Sequence, residues 1–103
     1  PHVFIYFVTV HNDSEETITL LGRRWVLTYA DGRAEVIEGD RIVGETPRLP
    51  PGGSFSYNSF HLVRGNARAE GSFHGQTEDG TPVRVPIPRF ELNVPDPPSH
   101  EIH

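Results

Sequence analysis

Two glycines flank an arginine in the segment EGDRIVGETPRLPPGG, residues 38–53. Gly39 and Gly44 lie on either side of Arg41, and Arg48 follows a few residues later. Glycine-rich loops of this kind can present backbone amides to a phosphate, and a guanidinium group pairs with phosphate through two parallel hydrogen bonds. These four residues therefore form a candidate anion site, with a purely structural turn as the alternative.

The prolines that follow this loop argue against the usual phosphate-binding mechanism. In dinucleotide-binding folds the glycine loop opens a helix, and the free amides and dipole of that helix face the pyrophosphate. Pro47, Pro50 and Pro51 prevent such a helix here. Arg41 also places a long side chain where the backbone would have to approach a phosphate. We favour the structural turn, and an anion site at Arg41 and Arg48 remains the alternative.

A second group with functional potential is Arg23–Arg24–Trp25. Arginine and tryptophan are enriched among the residues that dominate protein–protein contacts. Alternation along a strand places Arg23 and Trp25 on one face and Arg24 on the other. We predict that Trp25 belongs to the core and that one of the two arginines pairs with a nearby carboxylate, Glu38 or Asp40.

Metal binding and catalysis find little support in the sequence. The chain has no cysteine, and its six histidines lack the close spacing of a zinc motif. No nucleophile elbow is present, and Asp31 and Asp79 lie in predicted hairpin turns, where aspartate serves turn geometry. We expect no metal site, no cofactor and no catalytic residue. The histidines are His2, His11, His61, His74, His100 and His103.

The length and net charge of the chain limit which kinds of partner it can have. The chain has 103 residues, enough for one domain with one core, and carries a formal net charge of −5. All nine basic residues are arginine. The acidic balance disfavours nucleic-acid binding. No apolar run approaches the roughly 20 residues needed to span a membrane. We therefore expect no nucleic-acid or membrane partner and a cytoplasmic location.

Short apolar runs separated by glycine and proline predict an all-β fold. The clearest strand is HVFIYFVTV, in which Phe4, Tyr6, Val8 and Val10 share one face. Ile5 and Phe7 lie on the opposite face, and they would be exposed if the first face points inward. Exposed apolar surface often marks an interaction site. The alternative is that a loop, the tail or another strand covers it.

The other strands follow from the same pattern. TITLL forms a strand that ends or bulges at Gly22, and RRWVLTY forms a third; the hairpin signal ADG leads to RAEVIE. SFSYNSFHL, ARAEGSFHGQT and PVRVPIP come next, and RFELNV either extends the last strand or forms its own. Seven or eight strands indicate an antiparallel β-sandwich, with a closed barrel as the alternative. We expect the domain to span 1–95 and a proline-rich, extended tail to span 96–103.

Several segments together resemble the ApaG family. They are LLGRRWVLTYADG, VIEGDRIVGETPRLPPGGSFSYNSF, EGSFHG and VPIPRFEL, and they occur in the order of the family. The family motif Leu-Leu-x-Arg-x-Trp matches Leu20, Leu21, Arg23 and Trp25. Its Gly-x-Gly-x-x-Gly motif matches Gly39 and Gly44 but has Arg41 at the middle position. A Gly-x-Met-x-Gly stretch is reduced to Ala67, Ala69 and Gly71.

This resemblance implies a fibronectin type III-like β-sandwich with immunoglobulin-like architecture. It also implies two kinds of role: pyrophosphate binding suggested by the glycine motif, and protein interaction as in eukaryotic proteins that carry the domain. The bacterial family is linked by genomic association to diadenosine tetraphosphate hydrolysis without being a hydrolase itself. The departures at Arg41 and Ala67 predict that the backbone geometry at these two positions differs from the family pattern.

The sequence thus predicts a non-enzymatic binding module that acts by protein–protein interaction. The predicted interaction surface consists of Ile5, Phe7, Arg23 and Arg24. The partner is an unidentified protein, and a second copy of the chain is one candidate. The alternative function is binding of a small anion or a pyrophosphate-containing nucleotide through the 39–44 loop with Arg41.

Overall fold

The computed structural model describes residues 1–95, and the tail predicted at 96–103 lies outside the described residues. The described chain is all-β, as predicted. It contains seven strands: β1 (His2–His11), β2 (Ile18–Tyr29), β3 (Ala34–Asp40), β4 (Arg48–Leu49), β5 (Ser54–Val63), β6 (Ala67–Thr77) and β7 (Pro82–Leu92).

The strands form two antiparallel sheets that pack face to face. The larger sheet has the order β3-β2-β6-β7, and the short strand β4 pairs with the beginning of β2. The smaller sheet consists of β1 and β5 alone, paired from His2↔Val63 to His11↔Ser54. The sandwich predicted from the strand pattern is confirmed, and it is asymmetric because a two-stranded sheet covers a much wider one.

One sequence prediction about the strands is wrong. TITLL and RRWVLTY belong to the single strand β2, whose pairing with β6 shifts register between Leu20 and Gly22. A β-bulge absorbs an extra residue without ending a strand, so the bulge at Gly22 is the correct alternative. For RFELNV the sequence left two alternatives open, and the first is correct: residues 89–92 belong to β7, which ends at Leu92.

The core between the sheets has two parts. Around Trp25 the buried residues are Leu27, Val63, Ala67, Ala69 and Leu92, with Phe4, Tyr6 and Phe90 packed against them. Around Phe73 they are Val10, Leu20, Ile42 and Leu49. Trp25 is 1% exposed, which confirms its predicted place in the core. Tyr6 links the two sheets, because its ring lies 5.2 Å from that of Trp25.

Candidate interaction face and glycine loop

The outward side of the β1–β5 sheet carries an apolar patch. Its side chains point away from the larger sheet because they alternate with the inward residues of each strand. Ile5 pairs with Phe60, and Val3 pairs with Leu62 across the two strands. We call this patch the apolar face; its members and exposed fractions are Val3 60%, Ile5 66%, Phe7 78%, Phe60 56% and Leu62 53%.

Ile5 and Phe7 are exposed among the described residues, which is one of the two alternatives that the sequence left open, and their role in interaction stays a prediction. Phe60 and Leu62 were not selected from the sequence. The signal was available, because Phe55 and Tyr57 lie on the inner side of β5 and alternation then places Phe60 on the outer side. The sequence pattern did not reveal that β5 pairs with β1. This pairing joins the outward apolar side chains of the two strands into one patch.

The strands that carry the apolar face contain no Asp, Glu, Lys or Arg. This is unusual in a chain with 14 acidic residues and a net charge of −5. Beyond Phe7 the same side becomes polar and neutral, and the hydroxyls of Thr9 and Ser56 share a hydrogen bond of 2.9 Å. Within residues 1–95, the acidic side chains therefore lie on the larger sheet and in the loops.

The edges of the two sheets also differ. At one edge of the larger sheet, β7 contains Pro82, Pro86 and Pro88, which have no backbone N–H to offer another strand. β1 and β5 contain neither proline nor charged residues, and within residues 1–95 each pairs only with the other. The smaller sheet therefore lacks the usual devices that discourage contact with another chain.

Arg23 and Arg24 lie apart from the apolar face. Arg23 is half-buried on the inner side of the larger sheet, and its Nη1 donates to the carbonyl oxygens of Asp40 and Arg41, each at 2.9 Å. Arg24 is exposed on the outer side, where its Nε lies 3.6 Å from Oε2 of Glu38. This confirms the predicted arginine–carboxylate pair, and such an exposed pair contributes about 0–1 kcal/mol to stability.

The glycine loop forms a tight hairpin turn over residues 42–45. Ile42 and Glu45 exchange backbone hydrogen bonds of 2.8 and 3.1 Å. The two residues between them have positive φ, 50° at Val43 and 80° at Gly44, as in a type I′ turn. Ile42 is fully buried and anchors the turn to the core. The geometry is that of a structural turn rather than a helix start.

The four residues of the candidate anion site have different environments. The amide of Arg41 donates to Leu21, and its carbonyl accepts from Arg23. Its side chain is exposed. Arg48 pairs with Glu78, with Nε 3.0 Å from Oε1. Gly39 packs against the Arg23 guanidinium, and Gly44 lies at the turn. Anion binding here stays a prediction, with the exposed Arg41 as its main element.

Val43 is a β-branched residue at positive φ, a conformation that costs about 1–3 kcal/mol. We expect Val43→Asn to raise the free energy of unfolding by about 1 kcal/mol, because Asn-Gly is the preferred pair for a type I′ turn. Urea denaturation would measure this. Val36→Asn, at a half-exposed valine within β3, is the matched control and should not stabilise. A less stable Val43→Asn variant would contradict the proposed strain.

The predicted turn aspartates are engaged in turn geometry. Asp31 accepts a hydrogen bond from the backbone N–H of Arg33, and this bond lowers the pKa of the Asp31 carboxyl. Asp79 interacts with the hydroxyls of Thr77 and Thr81, which lower its pKa in the same way.

Residues 1–95 contain no group of three or more His, Asp or Glu side chains placed to hold a metal ion. The described residues include no helix able to cross a membrane.

Fold and surface together define a small β-sandwich with an exposed, uncharged apolar face. Residues 1–77 match the model of the ApaG domain, and the chain belongs to the ApaG family. Protein ApaG of Deinococcus radiodurans is 39% identical over 93 residues, covering 89% of this chain and 73% of that protein. Protein ApaG of Xanthobacter autotrophicus is 41% identical over 96 residues, covering 92% and 74%.

Solved structures agree with this membership. The crystal structure of the putative ApaA protein from Bordetella pertussis superposes with a TM-score of 0.81 at 33% identity, covering 90% of this chain and 76% of that chain. The family resemblance read from the sequence is therefore confirmed.

Proposed function

We propose that this ApaG domain is a non-enzymatic protein-interaction module whose contact surface is the apolar face. The observation that carries the proposal is the exposure of five large apolar side chains on two adjacent strands. The largest apolar patch on an ordinary monomer covers about 300–600 Å² and is often functional. Burial of such a patch contributes roughly 25 cal/mol per Å² before the costs of association.

The chemistry of the face specifies the kind of partner. β1 and β5 carry no charged residue. A charged surface of a partner would therefore lose its hydration on binding without meeting an opposite charge. The occupant we propose is therefore an apolar, uncharged surface of another protein. Its rim would meet the hydroxyls of Thr9 and Ser56. The unblocked edges of β1 and β5 allow the contact to continue past the face.

Two measurements test this proposal. Sedimentation equilibrium of the wild-type chain and of Ile5→Asp would show whether the partner is a second copy, because a dimer through this face should dissociate in the variant. Affinity columns made from the same two proteins would identify a different partner. That protein, once purified, should bind the wild type in solution and not Ile5→Asp. Equal self-association and equal binding by the two chains would contradict the proposal.

Anion or pyrophosphate binding at the 39–44 loop is the second proposal carried over from the sequence, and only the exposure of Arg41 favours it. If the loop binds an anion, addition of pyrophosphate should shift the backbone amide resonances of residues 39–48. Unchanged resonances at millimolar pyrophosphate would exclude anion binding at this loop. The cytoplasmic location also stays a prediction, and cell fractionation would test it.

A further inference from the structure

The junction between the two sheets contains a buried histidine. His61 lies on the inner side of β5, opposite Phe4 of β1, and it is 4% exposed. The other histidines within residues 1–95, His2, His11 and His74, are exposed. Histidine is the side chain whose charge ordinarily changes between about pH 5 and 8. His61 is therefore placed to bring a change of charge into the core under mildly acidic conditions.

Two aromatic rings enclose His61, and they come from different sheets. Tyr6 of β1 stacks on the imidazole with ring centroids 4.6 Å apart. Trp25 of β2 meets the imidazole edge-on at 4.7 Å. Phe90 of β7 packs against both rings, 6.1 Å from Tyr6 and 5.8 Å from Trp25. The imidazole therefore lies among the aromatic contacts through which the smaller sheet packs on the larger one.

A proton taken up by His61 would find no acceptor at this position. Nε2 of His61 is shielded from solvent and has no hydrogen-bond partner among the described residues. Protonation makes both ring nitrogens donors and gives the ring a positive charge. Burial of a charge is strongly unfavourable unless the charge is paired and hydrogen-bonded. The packed junction therefore favours the neutral imidazole.

Glu35 of β3 supplies a negative charge near His61 but does not compensate for burial. Its carboxylate is exposed, and Oε2 accepts a hydrogen bond of 3.4 Å from the Tyr29 hydroxyl. Water weakens the attraction between an exposed charge and a buried one. Burial therefore lowers the pKa of His61 from its ordinary value of 6.5, and the charge of Glu35 opposes this effect only in part.

The other groups packed around His61 offer no further negative charge. Arg23 of β2 lies on the same side of the junction as Glu35 and brings a positive charge. On β5 itself, burial raises the pKa of the Tyr57 phenol, which therefore stays neutral. The remaining contacts, from β1, β2 and β7, are the aromatic rings described above, and none of them is a carboxylate.

We propose that His61 makes the packing of the two sheets sensitive to acid, so that the smaller sheet separates from the larger one more readily once the imidazole is protonated. Separation exposes the imidazole to water, where it holds a proton more readily than in the core. The stabilising effect of the neutral ring is therefore complete above about pH 6.5 and is lost as the pH falls below that value. No partner protein takes part, so this inference does not depend on the proposed interaction face.

Urea denaturation of the wild type and of His61→Phe tests this proposal. Phenylalanine keeps a flat ring between Tyr6 and Trp25 but cannot take up a proton. Trp25 is the one tryptophan of the chain and touches His61, so its fluorescence reports on the junction. Between about pH 7.5 and about pH 5.5, we expect the unfolding equilibrium constant of the wild type to rise about threefold to tenfold more than that of His61→Phe.

Two further variants locate the effect at His61. His11→Gln removes an exposed histidine and should keep the acid dependence of the wild type. Glu35→Gln removes the opposing negative charge, so an NMR titration of the His61 imidazole should move to lower pH in this variant. The same titration decides the question if His61→Phe does not fold. The proposal is overturned if His61→Phe loses stability in acid as the wild type does, or if the wild-type imidazole titrates at or above about pH 6.5.

Discussion

Gly75→Ala should lower the free energy of unfolding by about 3 kcal/mol or more, the upper range for overpacking a rigid interior. Gly75 lies in β6 opposite Leu20 of β2, beside the bulge. A Cβ added there would overlap the carbonyl oxygen of Thr19 and come within 3.1 Å of the Leu20 Cα. Both obstacles are backbone atoms, so no side chain can move aside. Urea denaturation followed by circular dichroism would measure the loss.

Gly65→Ala provides the matched control for this prediction. A Cβ at Gly65 would have no neighbouring atom within 4 Å, so the same substitution should change the free energy of unfolding by about 0.5 kcal/mol or less. If Gly75→Ala were as stable as Gly65→Ala, the close approach of β2 and β6 would be wrong, and with it the position of Trp25 and the arrangement of the core.

Local sequence patterns were sufficient to predict much of the fold. Alternation in β1 placed Phe4 and Tyr6 on one face and Ile5 and Phe7 on the other, and the structure shows that the first face points inward. The Asp-Gly pair at 31–32 predicted the hairpin between β2 and β3, which the structure contains. These signals are local, because side-chain direction and turn geometry depend on a few neighbouring residues.

The features that the sequence did not reveal depend on non-local contacts. The pairing of Ile5 with Phe60 joins residues far apart in the chain, and no local pattern specifies that register. The two hydrogen bonds from Arg23 to the carbonyl oxygens of residues 40 and 41 likewise depend on how the loop folds back.

The apolar face gives the second large expected effect. Phe7 is the most exposed member of this face, at 78%. Its side chain therefore contributes little to packing in the free protein, and a substitution should leave the fold intact. In a complex, a carboxylate at position 7 would be buried against an apolar partner without a counter-charge. We therefore expect Phe7→Asp to weaken binding of the partner at least about tenfold.

Val36→Asp is the matched control for this effect. Val36 is 49% exposed on the outer side of β3, in the other sheet. Like Phe7 it is an exposed apolar residue, so the variant adds the same charge to the protein surface away from the apolar face. Phe7→Lys is a second comparison. The chain has a net charge of −5, and the lysine variant separates the effect of burying any charge from the effect of adding one more negative charge. If desolvation of a charge is responsible, the positive side chain should weaken binding as the negative one does.

The most direct test of the proposed interaction face is the dissociation constant of the purified partner, measured by titration calorimetry. If the partner is a second copy, dimer dissociation gives the same quantity. We predict that Phe7→Asp raises the dissociation constant at least about tenfold, while Val36→Asp changes it by no more than about twofold. A folded Phe7→Asp chain that binds as tightly as the wild type would contradict the proposal that the apolar face is where this ApaG domain meets its partner.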